Sequence, residues 1–154
     1  KERRLRPSTD MTQNSNATGP ELLEERSIGG ILVHFFSLLL GFFGAGLVYL
    51  LSSHKFTREN ARNAFNWHLS VFLIAVIGFV MFFLGADDVS AAGETIELAS
   101  ILPAPIDTVF ALSGWLLLFI AAIGAALTLI FAIIATAKAI YGSAWKYPGA
   151  ISLI

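Results

Sequence analysis

The chain has 154 residues, of which 56% are hydrophobic and 14% charged, with a net charge of −1 and no cysteine. A soluble domain usually has roughly a quarter of its residues charged, so this composition indicates an integral membrane protein. The lack of cysteine excludes a disulfide framework, a thiolate metal site and a cysteine nucleophile.

Residues 1–27 are polar and without apolar periodicity, and we predict a disordered N-terminal tail. Residues 28–51 contain no Asp, Glu, Lys or Arg. As a helix they would rise about 36 Å, which is enough to cross a bilayer. They form the first predicted transmembrane helix, and Gly41 and Gly44 are expected to let another helix pack closely against it.

A polar stretch follows the first apolar run. We predict an amphipathic interfacial helix over residues 57–68, with Thr57 as its N-cap. A second transmembrane helix is predicted over residues 69–86, where the sequence is again apolar.

Three asparagines fall within the predicted interfacial helix, at Asn60, Asn63 and Asn66. Asparagine is a weak helix former, so their presence favours a specific polar contact. The alternative is that they form hydrogen bonds with lipid headgroups or with the neighbouring loop.

Residues 87–107 form an acidic loop without a basic residue, and Pro103 and Pro105 exclude a regular helix there. A third transmembrane helix is predicted over residues 108–137, with Asp107 as its N-cap. Small residues predict a helix-packing stripe on it: Ala121, Gly124 and Ala125.

The predicted fold is therefore all-α and membrane-integral, with three transmembrane helices and a short amphipathic interfacial helix in one domain, residues 28–154. Basic residues are concentrated in the first loop and after the third helix, and the second loop has none. The positive-inside rule then places the first loop and the C-terminus in the cytoplasm. Three crossings of the cell membrane put the N-terminus outside, although the basic cluster Lys1–Arg6 argues for the other side.

No Ser, His and Asp set shares one membrane face. We predict no enzyme, cofactor, metal site or nucleic-acid partner. His34 is an intramembrane polar residue and by default a functional candidate. The simpler interpretation is a neutral imidazole that hydrogen-bonds a neighbouring helix. Haem ligation together with His68 is disfavoured, because the predicted topology places the two histidines near opposite membrane faces.

The polar and aromatic residues of the predicted cytoplasmic face are expected to contact lipid or a partner. They are Arg58, Asn60, Arg62, Asn63, Asn66, Trp67, His68, Trp145, Lys146 and Tyr147. The expected partners are the bilayer, anionic lipid headgroups at the cytoplasmic face, and other membrane subunits or a second copy of this chain.

Two motifs carry a resemblance to a known family. Residues 60–68, NARNAFNWH, resemble the signature (H/N)-A-x-x-A-L-N-F-Q, with Trp67-His68 in place of the aromatic-Gln pair. Residues 138–148 resemble K-A-x-x-G-x-x-Y-R-Y-P, and His34, Ser37 and Gly41 loosely resemble H-L-S-x-L-L-G.

In this order, over residues 28–154, the motifs resemble small prokaryotic membrane proteins of a domain-of-unknown-function family. That family is similar to the Tic channel component of the chloroplast translocon. The resemblance implies a small helical bundle with an interfacial helix.

We predict a non-enzymatic accessory, assembly or transport-associated subunit of a membrane complex. The alternative is an oligomeric channel or translocon-like component, which would need a polar face along one span. The serines and threonines within the spans are few and scattered.

Overall fold

The computed structural model describes residues 26–154, except residues 92 and 99. Three helices are present in these residues: α1 covers Ile28–Leu51, α2 covers Lys55–Gly85 and α3 covers Ile106–Ile140. Two short strands, β1 (Asp88–Ala91) and β2 (Glu94–Glu97), lie between α2 and α3. The tail predicted for residues 1–27 lies outside the described residues, apart from Arg26 and Ser27.

All three helices are long and apolar enough to span a membrane by length and composition. Their outward faces are apolar, with exposed fractions of 83% for Leu39, 73% for Phe43 and 65% for Leu112. Such large hydrophobic side chains on the outside of a bundle are suited to contact with lipid and not with water. The expected all-α membrane fold with three candidate spans is confirmed.

Helices α2 and α3 pack antiparallel through glycines. A Cβ atom at Gly114 would lie 2.7 Å from the carbonyl oxygen of Gly78, and one at Gly78 would lie 3.0 Å from the Cβ of Leu117. No side chain fits in that space, so the two backbones can approach closely only because both positions are glycine. Further along the same interface, Gly124 faces Val71.

Helix α1 is broken at Gly41, whose φ of 60° and ψ of −143° are not helical. That conformation is accessible to glycine and strained for other residues. Beyond the break the chain folds back, because a Cβ atom at Gly44 would lie 2.7 Å from the carbonyl oxygen of Phe36. In a straight helix these residues would be about 12 Å apart along the axis. Helix α1 is therefore a helical hairpin with residues 28–40 and 42–51 as its two arms.

Both ends of this hairpin contact the start of α2. The hydroxyl of Ser27, before the first arm, hydrogen-bonds the hydroxyl of Thr57. The guanidinium of Arg58 lies 4.8 Å from the ring centre of Tyr49, near the end of the second arm. Thr57 and Arg58 are neighbours, so the two ends of α1 lie together.

The end of α3 lies at the same place, because Arg26 donates a 2.6 Å hydrogen bond to the carbonyl oxygen of Ile140. We call this part of the bundle, where α1 begins and ends, α2 begins and α3 ends, the basic end. The placement of the N-terminus outside, opposite the first loop, required a straight α1. That requirement is not met, since Ser27 and Leu51 lie at the same end of the bundle.

Helix α2 is continuous from Lys55 to Gly85. The prediction of a separate interfacial helix over residues 57–68 is therefore wrong. The predicted second span, residues 69–86, overlaps the remainder of the same helix. No glycine or proline interrupts α2 before Gly78, so nothing in the sequence breaks the backbone hydrogen bonds there. His54 occupies the N-cap position, and the Thr57 side chain bonds Ser27 instead of capping the helix.

The acidic loop contains a short antiparallel β-hairpin. Strand β1 pairs with β2 so that Asp88 lies opposite Glu97 and Ala91 opposite Glu94, and Gly93 supplies a positive φ of 88° at the turn. The predicted irregular loop is thus partly ordered. Helix α3 starts at Ile106 and ends at Ile140, slightly beyond the predicted bounds of 108 and 137.

Replacement of Gly41 by alanine should destabilise the fold through the backbone alone. No atom lies within 4 Å of the added Cβ, so the cost is conformational and of the order of 1–3 kcal/mol. Thermal unfolding in detergent measures it. Leu39→Ala, a truncation two residues away at an 83% exposed position, is the control, and equal melting temperatures for the two variants would contradict the prediction.

Single cysteines test whether the hairpin returns to the side it entered, since the chain has none of its own. Cysteines replacing Ile28 and Ser53, at the two ends of α1, should react with a membrane-impermeant thiol reagent from the same side of a sealed vesicle. A cysteine replacing Thr95 in β2 should react from the opposite side. Labelling of positions 28 and 53 from opposite sides would show that α1 crosses the membrane.

Candidate functional site

The basic end contains a group of buried polar side chains. His34 and Asn60 are fully buried, and Asn63, Asn66, Trp67 and Tyr147 are 4–6% exposed. Buried polar groups in an apolar protein cost free energy unless they are hydrogen-bonded. Their partners therefore show what this cluster does.

His34 links the α1 hairpin to α2 and to the C-terminal segment, residues 141–154. Its Nε2 lies 3.1 Å from Oδ1 of Asn60, and Nδ1 lies 2.9 Å from the hydroxyl oxygen of Tyr147. Asn60 donates through Nδ2 to the carbonyl oxygen of Phe56, which leaves its Oδ1 to accept from His34. A neutral imidazole then donates from Nε2 and accepts at Nδ1.

The direction of each bond in this network is thus set. The Tyr147 hydroxyl donates to His34, and His34 donates to Asn60. Burial raises the pKa of the Tyr147 phenol above its ordinary value, so the phenol remains a neutral donor. Both ring nitrogens of His34 have partners, and neither is free for a metal ion.

Asn66 and Ser70 hold the last residues of the chain along α2. Oδ1 of Asn66 accepts from the backbone N–H groups of Leu153 and Ile154 at 3.1 and 3.2 Å. The hydroxyl oxygen of Ser70 accepts from the N–H of Ile151 at 3.0 Å. The C-terminal segment has no regular secondary structure at these residues, so α2 side chains take the place of a backbone ladder.

Aromatic rings complete the attachment of this segment. Trp67 stacks on Tyr147 with ring centres 5.9 Å apart and an angle of 15° between the planes. Trp67 also donates from Nε1 to the Thr128 hydroxyl at 2.9 Å. Phe131 meets Trp67 and Trp145 edge-on, so α2, α3 and the C-terminal segment share one aromatic core.

The residues predicted to contact lipid or a partner fall into two groups. Asn60, Asn63, Asn66, Trp67 and Tyr147 are buried within the chain. Arg58 and Lys146 are exposed, and Arg62, His68 and Trp145 are half-buried. Contact with lipid or a partner remains a prediction for these residues, and the exposed cations are best placed for it.

His34 and His68 do not lie near opposite faces, because that expectation assumed a straight α1. His68 lines a cavity near the hairpin tip together with Ser37 and Gly41, in the half of the bundle that also holds His34. Of the predicted packing residues, Gly44 lies inside the hairpin and Gly124 faces α2. Ala121 is buried and Ala125 is exposed.

The contacts of His34 with Tyr147 and of Ser70 with the C-terminal segment were not predicted from the sequence. Gly78 and Gly114 were likewise not predicted as the residues of closest helix approach. One signal was available: Asn60, Asn63, Asn66, Trp67 and Ser70 recur every three or four residues and so share one face of a helix.

The opposite end of the bundle carries exposed carboxylates at Asp87, Asp88, Glu94 and Glu97. Asp88 and Glu97 face each other across the β-hairpin, on the same face as the hydrogen-bonded hydroxyls of Ser90 and Thr95. Within the described part of the chain, no three His, Cys, Asp or Glu side chains are grouped so that they could hold a metal ion.

All of the residues described above, from the hairpin to the C-terminal segment, lie within the range that one family model matches. The model of the MamF/MmsF family, described as the magnetosome magnetite crystal formation protein family, matches residues 25–154. The chain belongs to the MamF/MmsF family. Searches of curated proteins and of solved structures gave no match.

Membership in the MamF/MmsF family corrects the resemblance to Tic-like proteins. The motifs used for that resemblance, residues 60–68 and 138–148, are the segments that pack against each other at the basic end. They reflect how α2 holds the C-terminal segment, which does not identify a translocon. The MamF/MmsF match connects the chain with magnetosome magnetite crystal formation.

Replacement of Tyr147 by phenylalanine removes the hydroxyl while keeping the stacked ring. His34 Nδ1 would then be a buried acceptor without a donor, which costs about 1–3 kcal/mol. Thermal unfolding should show the loss. Tyr141→Phe is the matched control, because Tyr141 is 82% exposed and its variant should differ from the parent by less than about 0.5 kcal/mol.

Proposed function

We propose that this MamF/MmsF protein is a non-enzymatic structural protein of the magnetosome membrane. Its helices hold the acidic β-hairpin at the membrane surface that faces the growing magnetite crystal. The observation that carries the proposal is the separation of charge along the bundle. Every Lys and Arg of the described residues lies at the basic end, and the hairpin carboxylates lie at the other.

This separation supports one orientation in the membrane. The positive-inside rule places Lys55, Arg58 and Arg62 on the cytoplasmic side, together with Lys138 and Lys146. Because both ends of α1 lie at the basic end, Ser27 and the start of α1 belong on the cytoplasmic side too. Helices α2 and α3 then cross the membrane, and the hairpin faces the interior of the magnetosome.

The hairpin offers chemistry suited to iron. Carboxylates are hard oxygen ligands, which suit hard metal cations. Asp88 and Glu97 lie directly opposite each other, and like charges in that position repel, so a nearby cation would relieve the repulsion. With hydroxyls of Ser90 and Thr95 beside them, one hairpin face presents only oxygen ligands.

The lack of a closed metal site among the described residues favours many weak contacts with iron or a mineral surface over a resident ion. Such contacts can influence where a crystal face grows without any catalytic step. The helical part supplies position and orientation, and its buried hydrogen bonds keep that position fixed.

The proposal extends to partners at the basic end. Exposed Arg58 and Lys146 suit anionic headgroups, and the lipid-facing helices suit other membrane subunits or a second copy. The packing of the described residues does not favour the alternative of a channel. The hydroxyls of Ser37, Ser70 and Thr128 all donate to carbonyl oxygens of their own helices, so their hydrogens are not available to a permeating ion or water.

Neutralising the facing carboxylates tests whether the hairpin binds iron and contributes to crystal formation. The double variant Asp88→Asn/Glu97→Gln should bind less ferrous iron in nanodiscs than the parent. In magnetosome-forming cells lacking the native protein, it should fail to restore crystal size, measured by electron microscopy. Both effects follow from the loss of two adjacent negative oxygen ligands.

The control Asp87→Asn/Glu94→Gln removes the same charge without disturbing the facing pair. It should retain most of the iron binding and most of the crystal size. If both double variants restore crystals as well as the parent, the hairpin carboxylates have no part in crystal formation. Equal loss in both variants would mean that net charge, and not the facing pair, is what matters.

A further inference from the structure

A cavity of about 190 Å³ lies at the basic end, between α2 and the C-terminal segment. Arg62 and Asn63 line it from α2, and Lys146 and Tyr147 line it from the other side. No Asp or Glu side chain is among its lining residues. The remaining lining residues are Asn66, Ala150, Ser152 and Ile154. The cavity therefore combines two cationic groups with a buried amide.

Asn63 is the unusual member of this lining. It is only 5% exposed, yet within the described residues its Nδ2 has no hydrogen-bond partner. The amides one turn before and after it are both engaged, Asn60 with His34 and Phe56 and Asn66 with the C-terminal segment. A buried donor without an acceptor is rare in folded proteins and marks a place where an acceptor is missing.

The three donors favour one kind of ligand. The guanidinium of Arg62 can bind two oxygens of a phosphate group in parallel, and the ammonium of Lys146 adds a point charge. Nδ2 of Asn63 would donate to a phosphate oxygen as well. We propose that Arg62, Asn63 and Lys146 form a binding site for a phosphate group.

The position of the site suggests two sources for the phosphate. Lys146 and Tyr147 line it at the end of the apolar helices, where headgroups lie in a membrane. A phospholipid headgroup is one source, and free phosphate from the cytoplasm is the other. This site is separate from the β-hairpin. A negative result for phosphate binding would therefore leave the proposed role in crystal formation unchanged.

The test is binding to the purified full chain in mild detergent. Native mass spectrometry follows titration with phosphatidylglycerol, and diacylglycerol, which lacks the phosphate, serves as the lipid control. Calorimetry with inorganic phosphate tests the other source. Phosphatidylglycerol binding without diacylglycerol binding supports the site with a lipid ligand, and binding of inorganic phosphate supports it with a soluble one.

Variants identify the residues. Asn63→Leu and Lys146→Gln should each weaken binding about tenfold, as expected for the loss of a hydrogen bond to a charged group. Lys55→Gln is the matched control for Lys146→Gln, since Lys55 is also an exposed lysine at the basic end but does not line this cavity. It should change binding less than about twofold, in line with the small effect of a single screened surface charge.

Folding is checked in the same variants by thermal unfolding. Asn63→Leu removes an unpaired buried donor, so its melting temperature should stay equal or rise. Equal weakening by Lys55→Gln and Lys146→Gln would overturn the proposal in favour of a general basic surface. Unchanged binding in Asn63→Leu, or no binding of either phosphate source, would also overturn it.

Discussion

The reversal of the chain at Gly41 is the constraint on which the rest of this structure depends. Glycine lets a helix turn back sharply, because it accepts a backbone conformation that strains other residues. Because the reversal brings both ends of α1 to the start of α2, His34 lies next to Asn60. Arg26 and Ser27, the first loop and the C-terminal segment then all meet at one end.

The polar groups gathered there are used mainly to build the protein. His34, Asn60, Asn66 and Ser70 direct their hydrogen bonds to Tyr147 and to backbone atoms of the chain. In a low-dielectric environment such bonds are strong, and leaving one unmade is costly. A rigid basic end is the result, and the acidic hairpin at the other end is free to meet solution. Asn63 is the exception, because among the described residues no group accepts a hydrogen bond from its Nδ2.

Much of the fold can be predicted from the sequence, and the failures have physical causes. The ends of α1 match the predicted range 28–51, because a run of 24 residues without a charge favours an apolar helix. The reversal of α1 at Gly41 was not predicted, since a glycine inside an apolar run is equally compatible with a straight helix. The asparagines were recognised as candidates for a specific contact, but the N–H groups that Asn66 binds lie more than 80 residues away. Hydrophobic periodicity carries no information about such pairs.

The link between His34 and Tyr147 spans 113 residues, and this has a consequence for synthesis. The α1 hairpin is made first and enters the bilayer before the segment that carries Tyr147 exists. Until that segment arrives, His34 lacks its donor and Asn66 lacks the backbone groups of the C-terminal segment. In an unfinished chain these polar groups therefore lack their hydrogen-bond partners. They gain them only when the C-terminal segment has been made and has packed against α2.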